Sequence, residues 1–287
     1  MLSENSVNWF INLTNMTENI FSIKNKVFVI TGGLGQLGQV YTKEIHSRGG
    51  KVAILDIPDQ ENSLVLELID KNKKDSFLYF TTDITHKVEI QSAVQKIIAK
   101  WSSIDVLVNN AALDSPPDAT ESEVGPFEEF PESSFDRVMN VNVKGTFLCC
   151  QVIGNIMSQQ KGGSIINVSS IYGLVSPRQD IYDFRRKDGK TFFKPVAYSV
   201  SKSAVFNLTR YLSTYWAKEN VRVNTLTLAG IFNNQPKEFL KSYKKHVPLG
   251  RMANAEEAVG PMLFLSSGAS SYMTGGNLVI DGGWTAW

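Results

Sequence analysis

Short apolar runs, rich in β-branched residues, recur along the chain: VFVIT at 27–31, KVAILD at 51–56, FLYFTTD at 77–83, IDVLVN at 104–109, SIINVS at 164–169, VRVNTL at 221–226 and NLVID at 277–281. A strand apolar on both sides needs cover on both faces, and parallel neighbours need a long crossover between them. The intervening segments supply that crossover. Apolar positions recur there at helical spacing near 36–48, 59–72, 86–101, 134–160, 198–218 and 255–267. The alternation predicts the α/β class: a doubly wound parallel sheet of about seven strands with helices on both faces. No linker or low-complexity stretch divides the pattern, so residues 21–287 read as one domain, preceded by an extension at 1–20 to which the pattern gives no role. Two segments interrupt the alternation, an insertion at 177–195 and a lid-like stretch at 231–249.

A chain of 287 residues can bury a full core, on the order of 75% of its unfolded surface. Its net charge of +1 and pI near 7.7 give no field favouring nucleic acid or an anionic membrane, which leaves a small molecule as the expected partner. Cys149 and Cys150 are neighbours within GTFLCCQVI, a pattern that suits reduced core thiols better than a disulfide or metal site. That points to the cytoplasm. No run of 18 apolar residues occurs, and the first 21 residues lack the basic and apolar regions of a signal peptide. The sequons at Asn12, Asn15, Asn167 and Asn207 matter only in a secretory pathway and are set aside. His46, His86 and His246 stand apart in polar surroundings, without ligand spacing or a nucleophile partner, and read as surface residues.

The first predicted strand runs into TGGLGQLG, which places Gly32, Gly35 and Gly38 at the turn and the start of a helix. Glycines let a backbone approach a pyrophosphate, and the helix N-terminus offers free N–H groups and the positive end of its dipole. Asp56 closes the second strand, placed to accept hydrogen bonds from a ribose diol. Its charge repels a 2′-phosphate and no cation in the loop offsets it, so NAD is expected over NADP. Asp83, after the third strand, could meet an adenine amino group or simply turn the chain. Tyr198 and Lys202, four residues apart in a helical stretch, fall on one face.

Seven motifs in order, TGGLGQLG, NNAA at 109–112, VNVKG at 141–145, INVSS at 166–170, YSVSK at 198–202, VRVN at 221–224 and TGGNLVIDGG at 274–283, resemble the short-chain dehydrogenase/reductase family over residues 22–287. The resemblance implies a Rossmann-like fold and a catalytic set of Asn142, Ser170, Tyr198 and Lys202. It adds Gln36, Leu37, Ile84, Asn109, Ala111, Gly230 and Ile231, with Tyr198 and Lys202, to the cofactor-binding residues. In that scheme Tyr198 exchanges the proton of the reacting hydroxyl, Ser170 holds the same oxygen, Lys202 acidifies the phenol and holds the nicotinamide ribose, and Asn142 anchors a water linking Lys202 to solvent. Lowering a tyrosine pKa from about 10 to about 7.5 takes about 3.4 kcal/mol. One ammonium at about 4 Å supplies that only where the effective dielectric is near 20, in a partly dry cleft. The chain departs from the pattern twice: the glycines follow T-G-x-x-G-x-x-G, and Ala229-Gly230 replaces a Pro-Gly after the sixth strand.

Within the family, SSIYGLVSPRQDIYDF, FKPVAYSVSK and GIFNNQPKEFLKSYKK look like oxidoreductases of flagellin modification, associated with legionaminic-type nonulosonic acid synthesis. That resemblance implies a sugar, sugar phosphate or nucleotide sugar as substrate. The insertion's Arg178 and Arg185, with Tyr182, and the lid's Lys237, Lys241 and Lys244 would then favour an anionic sugar, although a solvated hairpin or an oligomer contact explains them equally. Two rivals stand beside this reading. A 3-oxoacyl-thioester or other small-ketone reductase would be marked by NADP preference, and a non-catalytic dinucleotide sensor or scaffold by loss of Tyr198 or Lys202. The helices at 134–160 and 198–218 resemble those that pair across subunits in this family, implying a homodimer or homotetramer.

Overall fold

The computed structural model describes residues 19–58, 74–114, 121–186 and 191–287. The predicted extension, apart from its last two residues, and the helix expected at 59–72 lie outside the described residues.

Seven parallel strands form one sheet in the order β3-β2-β1-β4-β5-β6-β7. They are β1 Val27–Thr31, β2 Lys51–Asp56, β3 Phe77–Thr81, β4 Val106–Asn109, β5 Gly163–Ser170, β6 Val221–Leu228 and β7 Asn277–Ile280. Alternation along each strand divides two cores between its faces. Phe28 and Ile30 of β1, with Val52 and Ile54 of β2, join one cluster, which also takes residues of α1 (Gln36–Ser47) and α8 (Val259–Ser266). Val27, Val29, Ala53 and Leu55 join the other, under α2 (Lys87–Trp101), α4 (Thr146–Gln160) and α6 (Val196–Tyr215). At about 1.5–3 kcal/mol for each fully buried large apolar side chain, these two layers are the main stabilising term.

The helix expected over 134–160 is interrupted. It runs as α3 (Glu132–Met139), a π-helical turn at Asn140–Gly145, then α4. Gly145 faces Ile84, which a Cβ at that position would approach to 2.7 Å. The wider turn also lets Asn142 face the end of β4 rather than stay in helical register. His46 proves half-buried, its ring 5.8 Å from that of Phe77, and Asn167 is fully buried in β5. Both cysteines are buried and free; burial pushes Cys150 up to about 12. No helix among the described residues is long and apolar enough to cross a membrane.

A third, smaller core caps the carboxyl ends of the strands. Tyr172 follows β5 on the short α5 (Ile171–Leu174), Ile181 and Tyr182 come from a 3-10 turn at Gln179–Arg185, Tyr243 ends α7 (Lys237–Tyr243), and Trp284 comes from the C-terminal turn. Tyr182 packs on Phe192 and Phe239, with ring centroids 5.1 and 5.6 Å away, and Tyr243 packs on Trp284 at 4.8 Å. Insertion and lid are therefore one aromatic cover over the place where the loops converge.

Candidate active site

The strands' carboxyl ends open into a cleft of about 920 Å³. In a doubly wound sheet this crevice, where the strand order reverses between β1 and β4, is where ligands bind.

At its floor Gly32 has φ +64, and a Cβ there would come within 2.8 Å of Ala111 Cα, so the loop follows a path open to glycine alone. Gly35 caps α1, whose first-turn N–H groups lack helical partners and could donate to an acceptor such as pyrophosphate. Gly32, Gly35, Gln36 and Leu37 line the cleft. Gly38 does not: a Cβ on it would meet Gly32 O at 2.4 Å, so it allows the helix to pack on the loop. The atypical spacing is braced by Gln36, whose Nε2 donates to Phe232 O at 2.6 Å and ties the loop to the lid's base. Asp56 lines the cleft and accepts from Leu34 N and Ile57 N, each at 2.8 Å, which aims its carboxylate across the loop.

Ile84, Ala111, Gly230 and Ile231 also border the cleft, as does Asp83. Burial opposes the charge of Asp83, but hydrogen bonds from Thr85 and the nearby His86 and Lys144 bring its pKa below the usual value. Asn109 does not reach the cleft. Its side chain turns into the core, donating to Asn167 Oδ1 at 2.8 Å and Cys150 Sγ at 3.2 Å. The next residue, Asn110, lines the cleft instead and braces the glycine loop through Gly32 O at 2.9 Å. Ala229-Gly230 is held without a proline: Gly230 N donates to the Tyr243 hydroxyl at 2.8 Å, Ala253 N donates to Gly230 O at 3.2 Å, and Ile231 bridges to Ala253.

Ser170, Tyr198 and Lys202 come together from β5 and α6. Ser170 caps α5 by accepting from Tyr172 N at 3.2 Å and is hydrogen-bonded to the Tyr198 phenol. Ser169 Oγ donates to Lys202 O at 2.9 Å, fixing α6 against β5, and Lys202 Nζ donates to Val168 O at 2.9 Å. The Lys202 ammonium stands 5.8 Å from the Tyr198 ring centroid. Burial pushes Tyr198 up, with Asp114 adding to the rise and Ser170 opposing it, and burial pushes Lys202 down to about 8, with Asp114 opposing. The expected drop in the Tyr198 pKa is thus not a property of the protein alone.

Asn142 is 2% exposed and outside the cleft lining. Its Oδ1 accepts from Leu113 N at 2.7 Å, and its Nδ2 donates to Leu113 O at 2.8 Å and Ser201 Oγ at 2.9 Å. Those bonds clamp the exit of β4 to α6.

Of the residues expected to meet substrate, only Tyr182 lines the cleft. Arg178 is exposed and forms a two-pronged pair with Asp180 at 2.9 and 3.0 Å, while Arg185 lies over the Phe192 ring at 4.0 Å on the outer side of the cover. Lys237, Lys241 and Lys244 are exposed, whereas Phe239 and Tyr243 of the same segment face the cleft. Lys187 and Lys190 lie outside the described residues. The insertion instead presents Lys194, and the loop after β4 presents Asp114 and Leu113. Sequence reasoning gave no role to Asn110, Asp114 and Tyr172; their signal was position, each one to five residues beyond a strand end. Arg178→Glu is expected to change KM for any substrate by less than about twofold, as for exposed pairs in general. A tenfold rise measured by steady-state kinetics would return Arg178 to the site.

A glycine-lined crevice with free helix amides, an acidic residue at the end of β2 and a serine–tyrosine–lysine set beyond it define a dinucleotide-dependent oxidoreductase. A family model described as Enoyl-(Acyl carrier protein) reductase matches residues 35–285. The chain is 31% identical to the NAD-dependent glycerol dehydrogenase of Listeria innocua over 92% of this chain and 96% of that one. It is 29% identical to the post-translational flagellin modification protein A of Campylobacter coli, over 91% and 99%. A short chain dehydrogenase of Leptospira borgpetersenii, solved with bound NAD+, superposes with a TM-score of 0.79 at 32% identity, covering 92% of this chain and 94% of that one. The chain belongs to the short-chain dehydrogenase/reductase family. It is an enzyme that interconverts an alcohol and a carbonyl compound with a dinucleotide cofactor.

Proposed function

We propose that this enzyme uses NAD to interconvert a secondary alcohol and a ketone on a polyhydroxylated, sugar-like substrate. The observation that carries the reading is the makeup of the cleft around Ser170 and Tyr198: Tyr172, Tyr182, Asp114, Asn233 and Gln235 offer hydroxyl, carboxylate and amide groups, with Phe239 and Tyr243 as flat apolar partners. The name of the Listeria relative, a glycerol dehydrogenase, agrees with it, and that of the Campylobacter relative fits a sugar destined for a surface glycan. Arg178 and Arg185, which are outside the cleft, give the anionic form of the reading no support.

The residues present fit a dinucleotide. Gly32, Gly35, Gln36 and Leu37 line the cleft at the start of α1, whose first amides lack helical partners. Asp56, at the cleft wall, would accept hydrogen bonds from an adenosine ribose diol, which favours NAD. Bound NAD supplies the hydride acceptor and, in its oxidised form, a positive ring that favours the phenolate. Tyr198 takes the hydroxyl proton in oxidation and returns it in reduction, Ser170 holds the reacting oxygen, and Lys202 stabilises the phenolate.

Initial rates with NAD and NADP against polyols, sugars, sugar phosphates, nucleotide sugars and acetoacetyl thioesters test the reading. Turnover of polyols or sugars with NAD is expected, and Asp56→Ala should narrow the cofactor preference. Equal kcat/KM of the unaltered enzyme with both cofactors would remove NAD from the assignment, and turnover confined to the thioester would remove the sugar.

A further inference from the structure

Across the substrate side of the cleft runs an ion pair that the catalytic set does not include. Lys194, at the end of the insertion, donates through Nζ to Asp114 Oδ1, on the loop leaving β4. The Lys194 side chain is 8% exposed and that of Asp114 54%. Lys194 Nζ stands 5.1 Å from the Tyr198 ring centroid, and both residues share the cleft with Ser170, Tyr172, Tyr182 and Tyr198.

Both ends of the pair are built in. Asn142 grips both backbone polar groups of Leu113, the residue before Asp114. On the other side, Lys194 N donates to Gln179 Oε1 at 2.8 Å, Phe193 N to Val124 O at 2.7 Å, and Arg186 Nε to Phe192 O at 2.9 Å. A lysine drawn this far out of water is expensive to desolvate. Pinning the insertion down would not need it beside the catalytic tyrosine, since the aromatic cover already does so.

The chemistry of the pair suggests its ligand. A carboxylate only accepts hydrogen bonds and an ammonium only donates them. A hydroxyl does both, so one hydroxyl can bridge the two, donating to Asp114 and accepting from Lys194. A ketone oxygen or a methyl group cannot use the carboxylate, and a phosphate or carboxylate group would be repelled by it. We propose that Asp114 and Lys194 are the specificity-determining pair of this site, binding a hydroxyl on the carbon beside the reacting one and so selecting vicinal diols and α-hydroxy ketones. This rests on the polyhydroxylated-substrate reading and narrows it. Asp114 also raises the pKa of both Tyr198 and Lys202, consistent with its closeness to the reacting oxygen.

The test uses the full chain and matched probes that differ by one hydroxyl: 3-hydroxybutan-2-one against butan-2-one with NADH, and butane-2,3-diol against butan-2-ol with NAD. The wild type should prefer the hydroxylated member of each pair, in kcat/KM and in ligand-observed NMR of the cofactor-loaded protein. In Asp114→Asn and Lys194→Gln the ratio of kcat/KM between the members should fall about tenfold to a hundredfold, the range for losing a hydrogen bond to a charged group. The double variant should lose less than the product of the two. Lys194→Arg, which keeps the charge and the donors, should recover part of the ratio. Should Lys194→Gln fail to fold, the half-exposed Asp114→Asn carries the test alone. Equal losses on both members would mean that the pair only fastens the insertion, and a wild type without preference for the added hydroxyl would also overturn the proposal. Either result leaves the broader reading standing if polyols or sugars are turned over, whereas failure across that whole panel overturns the broader reading itself.

Discussion

Tyr198→Phe will lower kcat by at least about a hundredfold, the lower range for losing a positioned acid–base group, while NAD binds nearly as tightly as in the wild type. The substitution removes one oxygen and keeps the ring that packs below Lys194 and beside Lys202. The effect is expected in kcat because the phenol acts on the oxygen whose charge changes during the reaction. Burial, with Asp114 adding to it, keeps Tyr198 protonated in the cofactor-free protein. The Lys202 ammonium, 5.8 Å from the ring centroid, is a positive charge beside the phenol, which favours its ionised form. A second positive charge would favour the phenolate further, and a bound oxidised cofactor would supply one. Oxidation rates should rise with pH through a titration that is seen only in the cofactor complex. Retained turnover in Tyr198→Phe, with cofactor binding verified by titration, would transfer the proton-exchange role to another group.

The strands were legible because each is short, apolar and bounded by turn residues. β1 and β2 match the expected ranges, while the others shift at their ends, where no side-chain pattern marks the last ladder bond. The π turn at Asn140–Gly145 was not legible, since no proline marks a break there. In the site, Ser170, Tyr198 and Lys202 could be read from motif and spacing, and the structure brings them together. Asn109 and Asn110 show where such reading stops: the motif names both, but only alternation along β4 decides that Asn109 enters the core and Asn110 the cleft. The insertion shows it again. Arg178 and Arg185 were the basic residues expected at the substrate, yet Arg178 is paired with Asp180 and Arg185 lies on Phe192, and it is Lys194 that is carried inward, just before Pro195 at the start of α6. Which cation faces a ligand depends on tertiary packing of aromatics, which composition does not encode.

Lys202→Met is expected to stabilise the cofactor-free protein at pH 7 while cutting kcat/KM by about a hundredfold or more, the rate equivalent of about 3 kcal/mol of phenolate stabilisation. Lys202 is 5% exposed, and its pKa is pushed down to about 8 from 10.5, mainly by burial. The folded-state value lies below the unfolded one, so between about pH 8 and 10.5 the unfolded chain binds more protons and stability rises with pH. Below pH 8 the full penalty of the buried ammonium is present, about 3 kcal/mol at 1.36 per unit; above 10.5 both states are neutral and it is gone. Methionine has a similar length and no charge. It removes that penalty but leaves Val168 O without its donor, which returns about 1 kcal/mol. The net gain of roughly 2 kcal/mol corresponds to about 3 °C in Tm for a chain of this size. Thermal melts of the two proteins across the pH range check this: the gap should be widest below pH 8 and close toward pH 10.5. A variant less stable than the wild type at pH 7, or a gap that does not change with pH, would mean that the fold holds Lys202 without penalty. The expected result is instead that the ammonium is held in the dry cleft against its own hydration, because the phenol beside it cannot ionise without it.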